Sequence, residues 1–259
     1  MDLFKEIVPK NDQNPNFRAI TTPGLNEPEL QVIKNWADGF IDRDGKFVLE
    51  FQRTFNSSFW ELYIFACFKE LGFRVDFSYE SPDFVVSTDK GNFVAETTIA
   101  SNPEGYAPEW ERDYNKTDDL KPDQILHIAT IRLANAIFTK HQKYLSTYVS
   151  LEHVKGKPFV ICLAPFEQPF FFMQNDHALR QVLYKYDRPL YYDDPSTGDR
   201  IIVGESWKRK ISKDNDTEVE LGFFTTEMMP EVSAIIFSNT ATFTKVRALS
   251  NGTDYPCFA

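Results

Sequence analysis

Residues 57–101 read SSFWELYIFACFKELGFRVDFSYESPDFVVSTDKGNFVAETTIAS, and the fold is decided here. The first part predicts a helix. Asn56, Ser57 and Ser58 offer N-cap oxygens. Phe59, Leu62, Tyr63, Phe65, Ala66, Phe68 and Leu71 cover more than one face, as in a helix buried on most sides. Gly72 suits the left-handed residue that ends such a helix. Residues 73–79 alternate as a strand does. Pro82 breaks the chain, residues 83–88 predict a second strand, Asp89-Lys90-Gly91 a hairpin turn, and residues 92–100 a third strand.

Three carboxylates lie in this stretch. Glu61 falls in the first or second helical turn, Asp83 opens the second strand, and Glu96 is in the middle of the third. Counting back from the turn sets Asp83 near residue 98, with Glu96 and Thr98 on one sheet face. Neighbouring carboxylates repel unless a cation joins them. Hard oxygen ligands suit Mg²⁺ or Mn²⁺, and such an ion activates water and stabilises charge on a phosphate. Singly, Glu96 reads as a residue of an amphipathic strand and Asp83 as a turn residue after proline. Together with Glu61 they point to a site.

Outward from the stretch, residues 1–26 are broken by Pro9, Pro15 and Pro23 and read as a surface loop with a short strand. Residues 27–40 have helical spacing, 42–45 form a turn, and 46–51 predict a short strand. After a polar loop over 101–121, Pro122 opens a long helix to about residue 148. Residues 158–165, PFVICLAP, are a continuous apolar run, the mark of a strand buried on both faces. Further on, 176–186 predict a short helix, and 189–194 and 200–207 a hairpin. Residues 206–218 are charged and predicted exposed, and 219–225, 232–238 and 243–249 predict strands. The fold class is therefore α/β, a mixed central sheet flanked by helices. Residues 1–49 form a prefix packed on the core, 50–165 the core, and 166–259 a β-rich elaboration of the same domain.

This pattern resembles the PD-(D/E)XK nuclease superfamily, the restriction-endonuclease-like fold. The residues that carry the resemblance are the helix with Glu61, Pro82-Asp83, and Val94-Ala95-Glu96-Thr97-Thr98, within an αβββαβ order over residues 50–165. The resemblance implies a metal-dependent endonuclease that hydrolyses DNA phosphodiester bonds, with a role in restriction or phage defence. It assigns the Mg²⁺ (or Mn²⁺) to Asp83 and Glu96, with Glu61 completing the set. One departure matters: the family's lysine falls two residues after the acid, where this chain has Thr98. Some members supply that lysine from the following helix. Lys140 and Lys143 lie there, three apart and so on one face, with Arg132 two turns earlier. Lys140 is the first choice and Lys143 the second. A solvated helix face, or contacts to phosphates, is the competing reading. The alternative function is a catalytically inactive nuclease-fold module that binds nucleic acid or another protein, and an enzyme acting on another phosphate ester stays open.

Composition bounds the remainder. The net charge of -10 at pH 7 argues against nonspecific coating of nucleic acid, but acidic clusters are what hold divalent ions. Twenty-four Phe predict a thick interior. Cys67, Cys162 and Cys257 lack metal-ligand spacing and read as free thiols. His127, His141, His153 and His177 also lack such spacing. Ser57 and Ser58 read as caps rather than nucleophiles, and no Gly-rich phosphate loop occurs. The cluster Trp207-Lys208-Arg209-Lys210 reads as a solvated turn with phosphate contact as the alternative. The loop with Tyr106, Trp110, Arg112 and Tyr114 reads as a base-stacking surface or a packed flap. DNA is the expected partner and a homodimer is left open. With no apolar signal core or membrane-length run, the expectation is a cytoplasmic protein without a membrane partner. The apolar end DYPCFA leaves open a natural chain that continues past Ala259.

Overall fold

The computed structural model describes residues 1–102, 105, 109–111, 120–225 and 227–250. It shows an α/β architecture with a five-stranded mixed sheet flanked by helices.

The organising stretch folds largely as its pattern requires. Helix α4 (Phe55–Glu70) buries residues on all sides. It is preceded by α1 (Pro15–Ile20), α2 (Glu27–Ala37) and α3 (Phe47–Arg53). It ends in a Schellman arrangement: Gly72, at φ +73°, donates to the Lys69 carbonyl and Phe73 to the Phe68 carbonyl. The rings of Phe68 and Phe73 sit 6.1 Å apart beneath this turn. Strands β1 (Arg74–Asp76), β2 (Phe84–Thr88) and β3 (Gly91–Ile99) follow as an antiparallel meander. Helix α5 (Pro122–Ser146) returns the chain to β4 (Phe159–Ala164), which pairs parallel to β3 and is buried at all six positions. Strand β9 (Val232–Phe237) closes the sheet parallel to β4, giving the order β1-β2-β3-β4-β9.

Two cores lie back to back on this sheet. One face carries Phe84, Val86, Ala95, Val160 and Cys162, covered by the aromatic-rich α2, α3 and α4. Trp60 ties the layers together, its indole N–H donating to the Cys162 carbonyl at 2.9 Å. The other face carries Val85, Val94, Phe159, Ile161 and Leu163 under α5 and α6 (His177–Tyr184). Strands β5 (Tyr186–Asp193) and β6 (Arg200–Trp207) form a separate ribbon, and β7 (Lys210–Ser212) and β8 (Glu218–Glu220) a smaller one.

Several expectations are corrected. Residues 46–51 are helical in α3, because Phe47 and Phe51 recur at helical spacing and both are buried. Residues 243–249 lie in helix α7 (Phe243–Ser250), which packs on α2, with Val246 as its buried residue. The first 26 residues hold α1 and a 3-10 turn rather than a strand, with the Asn14 side chain capping α1. Helix α4 starts one residue before Asn56, so the serines lie inside it. Ser57 donates to the Thr54 carbonyl instead of capping. In 219–225 only the first two residues belong to a strand. Because β9 joins the central sheet, the last third of the chain completes the core as well as elaborating it. Cys257 lies outside the described residues.

Candidate functional site

The hairpin is tighter than its sequence predicts. Thr88 pairs with Gly91, leaving a two-residue turn, and Phe84 pairs with Ala95. One step beyond the ladder, Asp83 therefore stands opposite Glu96 and not near residue 98. The Asp83 backbone N–H donates to Glu96 Oε2 at 3.3 Å. Its carboxyl turns toward Thr97, and Oδ2 accepts from the Thr97 amide at 2.7 Å and the Thr97 hydroxyl at 2.6 Å. No described residue donates to Oδ1.

Glu96 is 1% exposed and has its hydrogen-bonding capacity filled. Oε1 accepts from Lys140 at 2.8 Å and Lys143 at 2.9 Å. Oε2 accepts from the Tyr148 hydroxyl at 2.9 Å as well as from Asp83. Four donors match the roughly four lone-pair directions of a carboxylate. The two lysines are three residues apart on α5, so one helix face delivers both. They differ in setting: the Lys140 side chain is 20% exposed and that of Lys143 47%. Lys143 also sits over the Tyr148 ring, 5.1 Å from its centre. Tyr148 follows the end of α5 in a 3-10 turn that faces it back onto β3.

The charges set opposite tendencies in three close carboxyls. Burial raises Glu96, but Lys140 and then Lys143 outweigh it and hold it below its ordinary value. Asp83 is raised, first by burial and then by the negative Glu96, with Lys140 and Thr97 opposing. Glu61 is raised well above its ordinary value by burial and then by Asp83, with Arg43 opposing. No described residue hydrogen-bonds to the Glu61 carboxyl. Burial and the adjoining Glu96 raise Tyr148, which keeps it a protonated donor.

Two further contacts fix the loop that presents Asp83. Arg43 donates to the carbonyls of Tyr79 at 2.7 Å and Pro82 at 3.2 Å. His153 stacks on Tyr79, ring centres 3.8 Å apart, and its Nε2 lies 2.7 Å from the Ser81 carbonyl. Sequence reading missed Tyr148, Thr97, Arg43 and this use of His153. The Thr97 role had a local signal, a hydroxyl beside Glu96. The others arrive from 36 or more positions away in the chain, and no spacing rule reaches them.

Other candidates are placed elsewhere. Thr98 offers only a 3.5 Å contact to the Ile99 carbonyl and does not touch the carboxylates. Arg132 holds Ser101, donating to its carbonyl at 2.8 Å and also to its hydroxyl. His141 lies 2.8 Å from Glu231 Oε2, and His177 meets the Asp187 carbonyl. Lys210 pairs with Glu218 and Glu220. Trp110 is described, whereas Tyr106, Arg112 and Tyr114 lie outside the described residues.

Among the described residues no three His, Cys, Asp or Glu side chains are gathered closely enough to cage a metal ion as they stand. The donor chemistry nevertheless fits a hard divalent cation. Among the described residues Asp83 Oδ1 and the Glu61 carboxyl have no hydrogen-bond donor, and burial and then like charge raise both, which a cation would relieve. Glu96 is fully engaged, so one ammonium must leave Oε1 before it can join them. Lys143, the more exposed, is the easier to displace. No helix among the described residues is long and apolar enough to cross a membrane. No family model, curated protein or solved structure matches this chain.

Proposed function

We propose that the chain is a metal-dependent nuclease that hydrolyses DNA phosphodiester bonds at Asp83, Glu96 and Glu61. The observation that carries the reading is the meeting of Lys140 and Lys143 on Glu96, opposite Asp83 across the β2–β3 pair. The cation absent at Thr98 is thereby present at the same carboxylate, delivered by α5. A Mg²⁺ or Mn²⁺ ion held by Asp83 and Glu96, with Glu61 beside them, would supply an activated water and a counter-charge for the phosphate. The chain's own groups prepare that site. Thr97 fixes Asp83 Oδ2 and leaves Oδ1 without a donor among the described residues. Tyr148 fixes Glu96 Oε2, and Arg43 and His153 hold the turn before Asp83. Lys140, the better shielded ammonium, serves as the displaced lysine, polarising the attacking water or the scissile phosphate.

The same contacts favour one other reading. With both lysines already neutralising Glu96, the cluster also stands as a metal-free ion-pair network in a nucleic-acid-binding module without catalysis. Plasmid and linear DNA incubated with the chain in Mg²⁺ or Mn²⁺ separate the two. Cleavage is expected, abolished by Asp83→Ala and by Glu96→Ala and slowed about 10²–10³-fold by Lys140→Ala. Cleavage that survives the carboxylate substitutions overturns the site. DNA binding without cleavage in either ion establishes the second reading.

A further inference from the structure

Glu96 Oε1 accepts from two ammoniums at once, Lys140 at 2.8 Å and Lys143 at 2.9 Å. A carboxylate oxygen offers about two lone-pair directions, so both on this atom are taken. Oε2 is likewise held, by the Tyr148 hydroxyl and the Asp83 amide. Glu96 is 1% exposed, so solvent cannot stand in for a donor that leaves. Another cation must replace it, because a buried carboxylate stripped of a partner is costly. Binding of an ion at Glu96 is therefore an exchange with an ammonium.

The two lysines are not equivalent in that exchange. The Lys140 side chain is 20% exposed, and its charge acts on Asp83 as well as on Glu96. The Lys143 side chain is 47% exposed, and its ammonium lies 5.1 Å from the centre of the Tyr148 ring. A long, half-exposed lysine surrenders a contact at little cost, since its head returns to water. The identity of the incoming ion then decides the outcome. Exchange for Na⁺ or K⁺ leaves the charge at Glu96 as it was and gives up a tethered partner for a free one. Exchange for a divalent ion adds one positive charge beside Asp83 and Glu61, which like charge disfavours as carboxylates.

We propose that Lys143 is a specificity-determining residue, a tethered counter-ion that gives up Glu96 Oε1 to a divalent ion, turns out into solvent, and excludes monovalent ions from the site. Lys140 stays on the carboxylates. The inference rests on the metal reading of Asp83, Glu96 and Glu61 and deepens it, because it names what selects the ion and sets the concentration at which it enters.

Two measurements on the full chain test it: acetylation by limiting acetic anhydride, read by mass spectrometry, and Mn²⁺ binding, read from the paramagnetic resonance signal of the free ion. Mn²⁺ is expected to speed acetylation of Lys143 about fivefold or more and to leave Lys140 within about twofold, since only the released head gains access to solvent. Lys143→Met should bind Mn²⁺ about tenfold more tightly, the competitor being gone. At fixed ionic strength, Na⁺ in place of tetramethylammonium should weaken Mn²⁺ binding to Lys143→Met about threefold or more and leave the unsubstituted chain unchanged. Thermal melts confirm that the variant is folded, and acetylation of the unsubstituted chain carries the test if it is not. Mn²⁺ binding with no change at Lys143, faster acetylation of Lys140 in its place, or equal Mn²⁺ affinity in the two chains overturns the proposal and leaves the metal site standing. No binding of millimolar Mn²⁺ by either chain overturns both. The expected exchange in a chain that cuts no DNA upholds the role of Lys143 and removes only the nuclease reading.

Discussion

At Glu96 four donors converge on two oxygens, while the neighbouring Glu61 has none among the described residues. Glu61, like Asp83, therefore carries a charge that opposes folding. The folded pKa of Glu61 is raised above the unfolded value of about 4.3. The fold therefore holds the proton more tightly than the unfolded chain does. Stability is full below about pH 4, falls as pH rises through the raised folded value, and stays lowered beyond it. Glu61→Gln removes this penalty. Thermal melts at pH 8 should show its midpoint roughly 2–4 °C above the unsubstituted chain, with the gap closing near pH 4. A lower midpoint at pH 8 would contradict the account. Millimolar Mg²⁺ should likewise raise the midpoint of the unsubstituted chain at pH 8, and raise that of Asp83→Asn less. At this scale the sequence showed the acids and both lysines, because spacing along one strand and one helix is local information. It did not show Tyr148 on Glu96, which is set by a turn after α5 and the docking of that helix on β3.

Among the elements, the most legible were those whose pattern admits one solution. The six apolar residues of β4 had to be covered on both sides, and Gly72 had to end α4. Short amphipathic pieces were not legible. Residues 47–53 and 243–250 carry β-compatible residues such as Phe, Val and Thr, and only burial against neighbours makes them helices. The same distinction between covered and uncovered side chains predicts the cost of truncation. Ile161 in β4 is fully buried, and Ile161→Ala should cost about 2–5 kcal/mol in denaturant melts. Ile202 in the β5–β6 ribbon is 64% exposed, and Ile202→Ala should stay within about 0.5 kcal/mol. Equal costs would mean that the ribbon is packed against something in solution.

Across the whole molecule, one sheet serves two cores, so neither can melt without uncovering the other. Strand β9 and helix α7, both from the last third of the chain, cover parts of each: Val232 belongs to one cluster and Val246 to the other. A chain cut after Pro165 loses both elements, and with β9 one of the two strands that pair with β4. It is expected to lack a cooperative melting transition by circular dichroism, although it retains every proposed catalytic residue. A well-folded 1–165 fragment would show that the last third is separable. The bond from Trp60 to the Cys162 carbonyl has an optical consequence within this shared architecture. Trp60 is sealed between α4 and β4, Trp207 is 61% exposed on the ribbon, and Trp110 borders a cavity. Their emission spectra report on different layers, so a red shift confined to the Trp60 component dates the moment at which α4 lifts from the sheet.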